Sequence, residues 1–363
     1  MKKEKILVIQ KKQVGDVLTT SVVLEALKEK FPDAEVHYLI YENSLAIVQN
    51  NPFLDKIVVM DSYARKSTWG FITFLFKIRN QKYTTVVDAY GKPNSVLIGW
   101  ISGARKTITF DKSYSRLLYS HAMKRNKTSF SAATKAIEHR MLLLEPLGIP
   151  FKAIKPKIYI TKEEQENASK RLQNAGIDVQ KPIVMVSAIG SNESKTYPLA
   201  YMAKVIDAVA EGNEIQFLFN YIPFQKDEAS TLFHLCNAST KAKIFFDFYE
   251  ENLRDFIAVT SLCKALIGNE GGATNMAKAL NIPTFTIFSP LILKNDWNIF
   301  EDGKQNISVH ISDYSTEQNE EKINNFLQNS DYKNLYELFT LELFQEKLLY
   351  FTTINLLSNE NRV

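Results

Sequence analysis

The chain has 363 residues, 45% of them hydrophobic, a net charge of +4 and two cysteines. This length exceeds one ordinary domain and suits two of roughly 150–200 residues, with apolar material for two cores. The small net charge, the two cysteines and the lack of any run near 18 apolar residues argue against a bulk-charge nucleic-acid binder, a disulfide scaffold and a membrane-spanning protein.

Cys236 and Cys263 read as buried free thiols of a reducing compartment, and the apolar run Ile6 to Ile9 behind the basic start MKKEK is too short for a signal peptide. The expectation is a cytoplasmic protein. The opening ILVIQ is continuously apolar, as a strand buried on both faces is, and Thr19 to Phe31 carries Val22, Val23, Ala26 and Leu27 at helical spacing. Strands are predicted next at 36–41, 56–61, 83–91 and 106–110, with helices at 44–50, 71–79, 97–102 and 132–147, the last closed by Gly148 and Pro150. Such alternation demands a mostly parallel sheet with helices on both faces. The segment KAIKPKIYIT at 152–161 holds a proline, shows no helical period and reads as a linker. Alternation then restarts, with helices at 163–175, 201–210, 225–237, 253–261 and 273–280 and strands at 182–190, 215–220, 243–247, 265–267 and 284–288. A last helical stretch at 335–357, rich in leucine and phenylalanine, is expected to pack back across the first domain or the interface. The predicted architecture is α/β, two tandem Rossmann-like doubly wound domains at 1–155 and 156–334, followed by a C-terminal helical segment at 335–363.

The stretch KALIGNEGGATNMAKALNIPTFTIFSP from Lys264 to Pro290 reads as strand, glycine turn, helix and strand. Gly271 and Gly272 at a strand's carboxyl end let a ligand approach the backbone, and the helix behind them offers free N–H groups to an anion. Glu270 would repel a phosphate and suits sugar hydroxyls instead. An ordinary turn whose glycines serve packing alone accounts for this segment equally well. In the loop QKKQVGDVLTTS at 10–21, Gly15 permits a tight turn and Asp16 stands where a carboxylate can take a proton from an attacking hydroxyl; the commoner fate of such a pair is a helix N-cap. The loop SAIGSNESKTYPLA at 187–200 pairs the donors of Gly190 and Ser191 with the charge of Lys195 before a proline-started helix. Together the two glycine loops are able to hold a diphosphate.

A basic run from Arg105 to Arg140 is opposed by only Asp111 and Glu138 and suits an anionic partner, with Arg105, Lys112 and Arg116 beside Gly15 as acceptor contacts. Aromatic residues lie among these cations, yet no nucleic-acid motif occurs, so a phosphorylated glycolipid or an anionic membrane surface fits better. WGFITFLFKI at 69–78 is unusually apolar for a surface helix, either dipping into a bilayer or forming core. The five histidines show no ligand spacing, and GxSxG, P-loop and GxGxxG motifs in their required contexts are absent.

In order and spacing, ILVIQKKQVGDVLTTSVVLEALKEKFPDAEVHYLI, NPFLDKIV, KYTTVVDAYG, SGARKTITF, SKTYP and IGNEGGATNMAKALNIPTFTIFSP resemble the family 9 glycosyltransferases, the heptosyltransferase-like enzymes of lipopolysaccharide assembly. The resemblance covers nearly the whole chain. It implies the GT-B fold, with an acceptor domain first, a nucleotide-sugar domain second and reaction in the cleft between them. Asp16 matches the family's catalytic aspartate, the general base of an inverting transfer. Lys195 matches the lysine of a Lys-x-Trp-Pro motif near the donor phosphates, with Tyr197 in place of tryptophan. Gly190 and Ser191 match the phosphate-contacting turn, where threonines are typical. Glu270 falls at an aspartate that binds donor sugar hydroxyls, and Asn275 falls at a histidine. The implied co-substrate is a nucleoside-diphosphate sugar, ADP-linked sugars among the candidates, with no cofactor and no metal. The implied partner is an anionic glycolipid or glycan reached at the inner face of the cytoplasmic membrane, and not nucleic acid. The changes at Glu270 and Asn275 leave open a non-catalytic nucleotide-sugar or glycan-binding protein, and a GT-B epimerase or hydrolase is a further alternative.

Overall fold

The structure, a computed structural model, describes residues 4–357; the first three residues of the basic start and the last six of the C-terminal segment lie outside the described residues. It divides into two compact units, one running to Tyr159 and including Asn295–Ile299, the other made of Ile160–Lys294 and the residues from Phe300 onward.

In the first unit, β1 (Lys5–Ile9), β2 (Glu35–Tyr41), β3 (Lys56–Met60), β4 (Thr85–Asp88), β5 (Lys106–Phe110) and β6 (His121–Met123) form one sheet in the order β3-β2-β1-β4-β5-β6. Every pair is parallel. Leu7, Val8, Ile9, Val86 and Val87 are fully buried, as a sheet covered by helices on both faces requires. From β1 the strand order runs outward in both directions, so β1 and β4 flank the switch point where open α/β sheets bind ligands. Ile9 is in register with Asp88, and the loops behind them leave the sheet side by side.

The second unit repeats this plan with β7 (Ile183–Ser187), β8 (Gln216–Asn220), β9 (Ala265–Asn269), β10 (Thr284–Ile287) and β11 (Asn306–Val309), all parallel, in the order β11-β10-β9-β7-β8. Its switch point lies between β7 and β9, with Ser187 opposite Gly268.

Several elements differ from the sequence reading. The helix expected over 19–31 is two helices, Val14–Thr20 and Val22–Lys30, broken at Ser21, whose hydroxyl donates to the Leu18 carbonyl at 2.7 Å. The helix expected over 132–147 covers only Thr134–Leu142, with a separate turn at Glu145–Leu147 carrying Pro146, which has no N–H to continue the ladder. The strand expected at 243–247 is a single bridge between Phe217 and Ile244. β6 and β11, with three and four residues, are strands that the sequence reading did not include.

The C-terminal segment contributes its apolar side chains to the second unit's core. It is a series of short helices, chiefly Tyr332–Leu338 and Gln345–Thr352. Leu335, Phe339, Phe344, Leu348 and Phe351 are buried in the core of the second unit. Phe285 of β10 lies 6.0 Å from the Phe344 ring and 5.7 Å from the Phe351 ring, so the sheet face of the second unit supplies the apolar area that this segment needs to cover. Phe351→Ala should therefore cost about 3–5 kcal/mol and speed amide exchange in β7, β9 and β10. Faster exchange in β1 and β4 instead would place the segment on the first sheet.

Candidate functional site

At the switch point of the second unit the loop behind β7 is closed on itself. Gly190 N–H donates to Thr196 Oγ1 at 3.1 Å and its carbonyl accepts from Gln225 Nε2 at 2.8 Å, while a Cβ on Gly190 would collide with the Lys195 carbonyl. Asn269, buried at the end of β9, stitches this loop to the next one. Its Nδ2 donates to the carbonyls of Ser187 and Ala188 at 2.9 and 2.8 Å, and its Oδ1 accepts the Tyr197 N–H at 2.7 Å. Tyr336 Oη and Ser289 Oγ both donate to the Ser194 carbonyl, at 3.1 and 2.7 Å. Tyr197 is fully buried against Tyr201, Tyr336, Phe339 and Phe344, and its hydroxyl donates to the Phe339 carbonyl at 2.7 Å. The C-terminal segment thereby helps to fix the loop that carries Ser191 and Lys195.

The glycines of this edge fall into two kinds. Gly268 has φ +127°, and a Cβ there would stand 2.5 Å from the Ser187 carbonyl oxygen, so the packing of β7 on β9 requires it. A Cβ on Gly271 or Gly272 meets nothing within 4 Å, and Gly271 has extended backbone that any residue adopts. Nothing in the protein explains glycine at those two positions. They leave the backbone bare at the start of the helix Gly272–Ala279, whose first-turn N–H groups lack helical partners. Asn275 lies one turn further on, its N–H bonded to the Gly271 carbonyl at 3.2 Å. Burial raises the Glu270 carboxyl above its ordinary range, with the charges of Lys195 and Lys278 opposing the shift. A cation, uncommitted amides and a half-buried carboxylate thus meet at one strand edge, a combination suited to a phosphate joined to a polyhydroxylated group.

One expectation changes here. Gly190 is not a phosphate contact, because its N–H is already bonded to Thr196; its role is to close the turn. Ser191 beside it is exposed, with its hydroxyl and N–H unengaged among the described residues.

In the first unit Asp16 is the third residue of the helix Val14–Thr20, one turn inside the cap position that the sequence alone favours. Arg140 Nη2 donates to Oδ1 at 2.5 Å, whereas Oδ2 receives only the Gln13 N–H at 3.4 Å. One carboxylate oxygen is therefore held firmly and the other only weakly engaged. Arg140 also reaches Thr20 Oγ1 at 3.3 Å, so it bridges two residues of this helix. Gly15 does not make a tight turn; it lies within the helix, its carbonyl accepting from Thr19 Oγ1 at 3.0 Å, and residues 10–13 do the turning.

Beneath this loop lies a charge pair that sequence reasoning missed. Lys11 is fully buried, and its Nζ has no hydrogen-bond partner among the described residues. The ammonium lies 5.2 Å from the Tyr90 ring and 5.7 Å from the Tyr41 ring, close enough for cation–π attraction. Burial pulls it down to about 8 despite the nearby charge of Asp88. Asp88, also fully buried, is pushed up to about 6 by burial, although Gly91 N–H and Tyr119 Oη donate to it at 2.9 and 3.3 Å. The only sequence signal was a lysine two residues beyond an apolar strand.

The basic run does not form one face. Lys112 Nζ donates to the Gly91 carbonyl at 2.7 Å, near the switch point. Arg116 is exposed and its guanidinium is engaged by Asp111, which removes it as a free acceptor contact. Arg105 precedes β5 whereas Lys112 follows it, so a five-residue strand of about 16 Å separates them. Arg105 stands at the sheet edge opposite Asp16, too far away to be an acceptor contact beside it. Among the described residues no helix is long and apolar enough to cross a membrane, and no group of three or more His, Cys, Asp or Glu side chains is placed to hold a metal.

The model of glycosyltransferase family 9 (heptosyltransferase) matches residues 73–325, more than half of the chain. This chain belongs to glycosyltransferase family 9. It is a glycosyltransferase with a two-domain α/β fold of GT-B type. It is 25% identical over 296 residues to lipopolysaccharide heptosyltransferase 1 of Campylobacter coli, a match covering 78% of this chain and 83% of that one. A lipopolysaccharide heptosyltransferase 3 of Escherichia coli is 20% identical over 278 residues, covering 76% of this chain and 80% of that one. Among solved structures, a family 9 glycosyl transferase from Veillonella parvula has a TM-score of 0.78 at 19% identity, covering 95% of this chain and 97% of that one. The E. coli heptosyltransferase WaaC with ADP-2-deoxy-2-fluoro heptose has a TM-score of 0.63 at 18% identity, covering 84% of this chain and 92% of that one.

The two kinds of glycine are separable by experiment. Gly268→Ala should destabilise the protein by about 1–3 kcal/mol, whereas Gly271→Ala should leave thermal stability unchanged and weaken nucleotide binding; equal stability losses would assign both to packing. Asp88 gives a pH test. Its folded pKa of about 6 lies above the ordinary 3.8, so the native chain holds that proton more tightly. Stability is then greatest below pH 4 as far as this group is concerned and falls by about 3 kcal/mol as the pH rises to 6. Urea titrations of wild type and Asp88→Asn should diverge in that window, the variant lacking the fall; parallel curves would show that Asp88 is not strained.

Proposed function

We propose that this glycosyltransferase moves a sugar, heptose or a related one, from a nucleoside diphosphate to a hydroxyl of a lipopolysaccharide-type or other anionic glycan, with inversion and without a metal. The reading rests on the bare backbone at Gly271 and Gly272 beside Lys195 and Glu270, which suits a diphosphate carrying a sugar. The relatives support the substrate class: several are named lipopolysaccharide heptosyltransferases, and WaaC was solved with ADP and with an ADP-linked fluoro-heptose. An ADP-linked donor is therefore the first to try.

In this scheme residues 156–334 bind the donor and residues 1–155 the acceptor. Asp16 Oδ2 takes the proton of the acceptor hydroxyl while that oxygen forms a bond to the anomeric carbon. The bond from the anomeric carbon to the diphosphate oxygen breaks on the opposite face, and its electron pair leaves with the nucleoside diphosphate. Lys195, the Ser191 donors and the first-turn amides of Gly272–Ala279 meet the charge that develops there. Glu270 and Asn275 orient the sugar hydroxyls, and Arg140 keeps Asp16 in place. Lys112, with its charge close to the same switch point, faces the anionic acceptor. The acceptor is lipid-borne and reached from the cytoplasm by peripheral contact.

Asp16→Asn should lower turnover about 10²–10⁴-fold while calorimetry shows unchanged donor binding; an active variant would remove Asp16 as the base. Lys195→Ala should weaken nucleoside-diphosphate binding or slow transfer, and unaltered kinetics would take it out of the site. Transfer should survive a chelator, and nucleotide release should require added acceptor; release without acceptor would instead indicate a hydrolase or epimerase.

A further inference from the structure

The helix Thr68–Asn80 is apolar on two faces, and only one of them has a partner. Phe74 and Ile78 are buried in the core of the first unit, with Phe71 and Leu75 packed against it. On the other side Trp69, Ile72, Phe76 and Arg79 follow at helical spacing, with Trp69 71% and Phe76 65% exposed. Trp100, at the end of the neighbouring helix Pro93–Ile101, is 51% exposed and extends the same surface. Between the two helices runs a groove of about 470 Å³ lined by Ile72, Leu75, Phe76, Arg79, Trp100 and Ile101. A helix that is apolar all round is normally enclosed, and tryptophan is seldom left in water without a reason.

Charge identifies what covers it. Between Ser62 and Phe110 the chain carries eight lysines and arginines and one carboxylate, the buried Asp88. Arg79 is shared between the apolar groove and an adjoining cavity of about 650 Å³, whose lining also holds Lys82, Arg105 and Lys106, with Glu4 the carboxylate there. Its guanidinium is positioned: Nη1 donates to the Ile101 carbonyl at 3.4 Å, and Gly103, in left-handed conformation at φ +68°, has no side chain to block it. Tryptophan rings, a phenylalanine and a fixed arginine at the border of an apolar and a cationic surface match the boundary between acyl chains and anionic headgroups.

We propose that the outward face of Thr68–Asn80, with Trp100 and the basic cavity beside it, is a membrane-docking surface for anionic phospholipid. It deepens the peripheral-contact part of the functional reading and is independent of the transfer chemistry. Trp69, Phe76 and Trp100 enter the headgroup region while Arg79, Lys82, Arg105 and Lys106 meet phosphates. The displaced Arg105 thus acquires a role at the sheet edge away from Asp16, and docking through it leaves the loop before Asp16 uncovered.

Two of the three tryptophans lie on this face, so Trp297→Phe leaves Trp69 and Trp100 as the only reporters. The full chain with that substitution is titrated with phosphatidylcholine vesicles, with or without one-third phosphatidylglycerol, in the absence of donor and acceptor. The expected result is a blue-shifted emission and co-sedimentation with the anionic vesicles, at least tenfold weaker with neutral ones and in 0.5 M salt. Adding Phe76→Ser should lower binding at least tenfold without altering the melting temperature. No binding to anionic vesicles, or equal binding to both compositions, would overturn the proposal. So would light scattering that shows a dimer made monomeric by Phe76→Ser, because the face would then cover a second copy. Failure here would leave transferase activity intact, whereas loss of that activity in Asp16→Asn leaves vesicle binding unchanged.

Discussion

The arrangement of the second unit's switch-point loops depends on the side-chain amide of Asn269. It joins the end of β9 to two carbonyls behind β7 and to the N–H of Tyr197, using both its donors and its acceptor. No other short side chain offers that combination: aspartate lacks the donors, and leucine lacks all three. Leaving these buried groups unpaired would cost about 1–3 kcal/mol for each. Because Gly268 removes the side chain that would push β7 and β9 apart, the amide reaches both loops, and Lys195 and Glu270 come within electrostatic range of each other. The C-terminal segment reinforces the same loop through Tyr336 and through the Phe339 carbonyl that accepts from Tyr197. Its packing on the second sheet is thus part of the construction of the site.

The first unit uses a different device for the same purpose. Asp16 comes from the first turn of a helix, where Arg140, 124 residues later in the chain, fixes one of its oxygens. The helix Thr134–Leu142 that supplies Arg140 is also tied down by the ion pair of Lys135 with Asp296 at 2.7 Å, which draws a short later segment into this unit. Close by, the Lys11 and Asp88 charges are buried without a direct bond between them. Burial acts on both in the direction of neutrality, at the switch-point edge of the sheet. Charged residues in the interior at a switch point are hard to reconcile with stability alone.

Much of the plan was legible in the sequence because parallel strands covered on both faces leave continuous apolar runs. Runs such as Ile6 to Ile9 and Ala265 to Ile267 mark their strands, and the glycines behind β9 mark the loop. What was not legible depends on contacts distant in sequence. Neither the bond from Gly190 to Thr196 nor the ion pair of Asp16 with Arg140 leaves a local pattern, and Arg105 is close to Lys112 in sequence but lies across a strand from it in space. The sheet that receives the C-terminal segment was not legible for a similar reason: helical periodicity tells which residues are buried but not against which sheet. The glycines show the same limit, since Gly268 and Gly271 look alike as letters and differ only in what a methyl group would touch.

In the proposed function the loops at 190–197 and 270–275 hold a nucleoside diphosphate. Hydrogen exchange of the full chain with and without saturating ADP, and then with the other nucleoside diphosphates, tests it most directly. Added protection is expected at Ser191 to Thr196 and over the first turn of Gly272–Ala279, with β1 and β4 unchanged. Protection confined to the first unit, or none with any nucleotide, would contradict it.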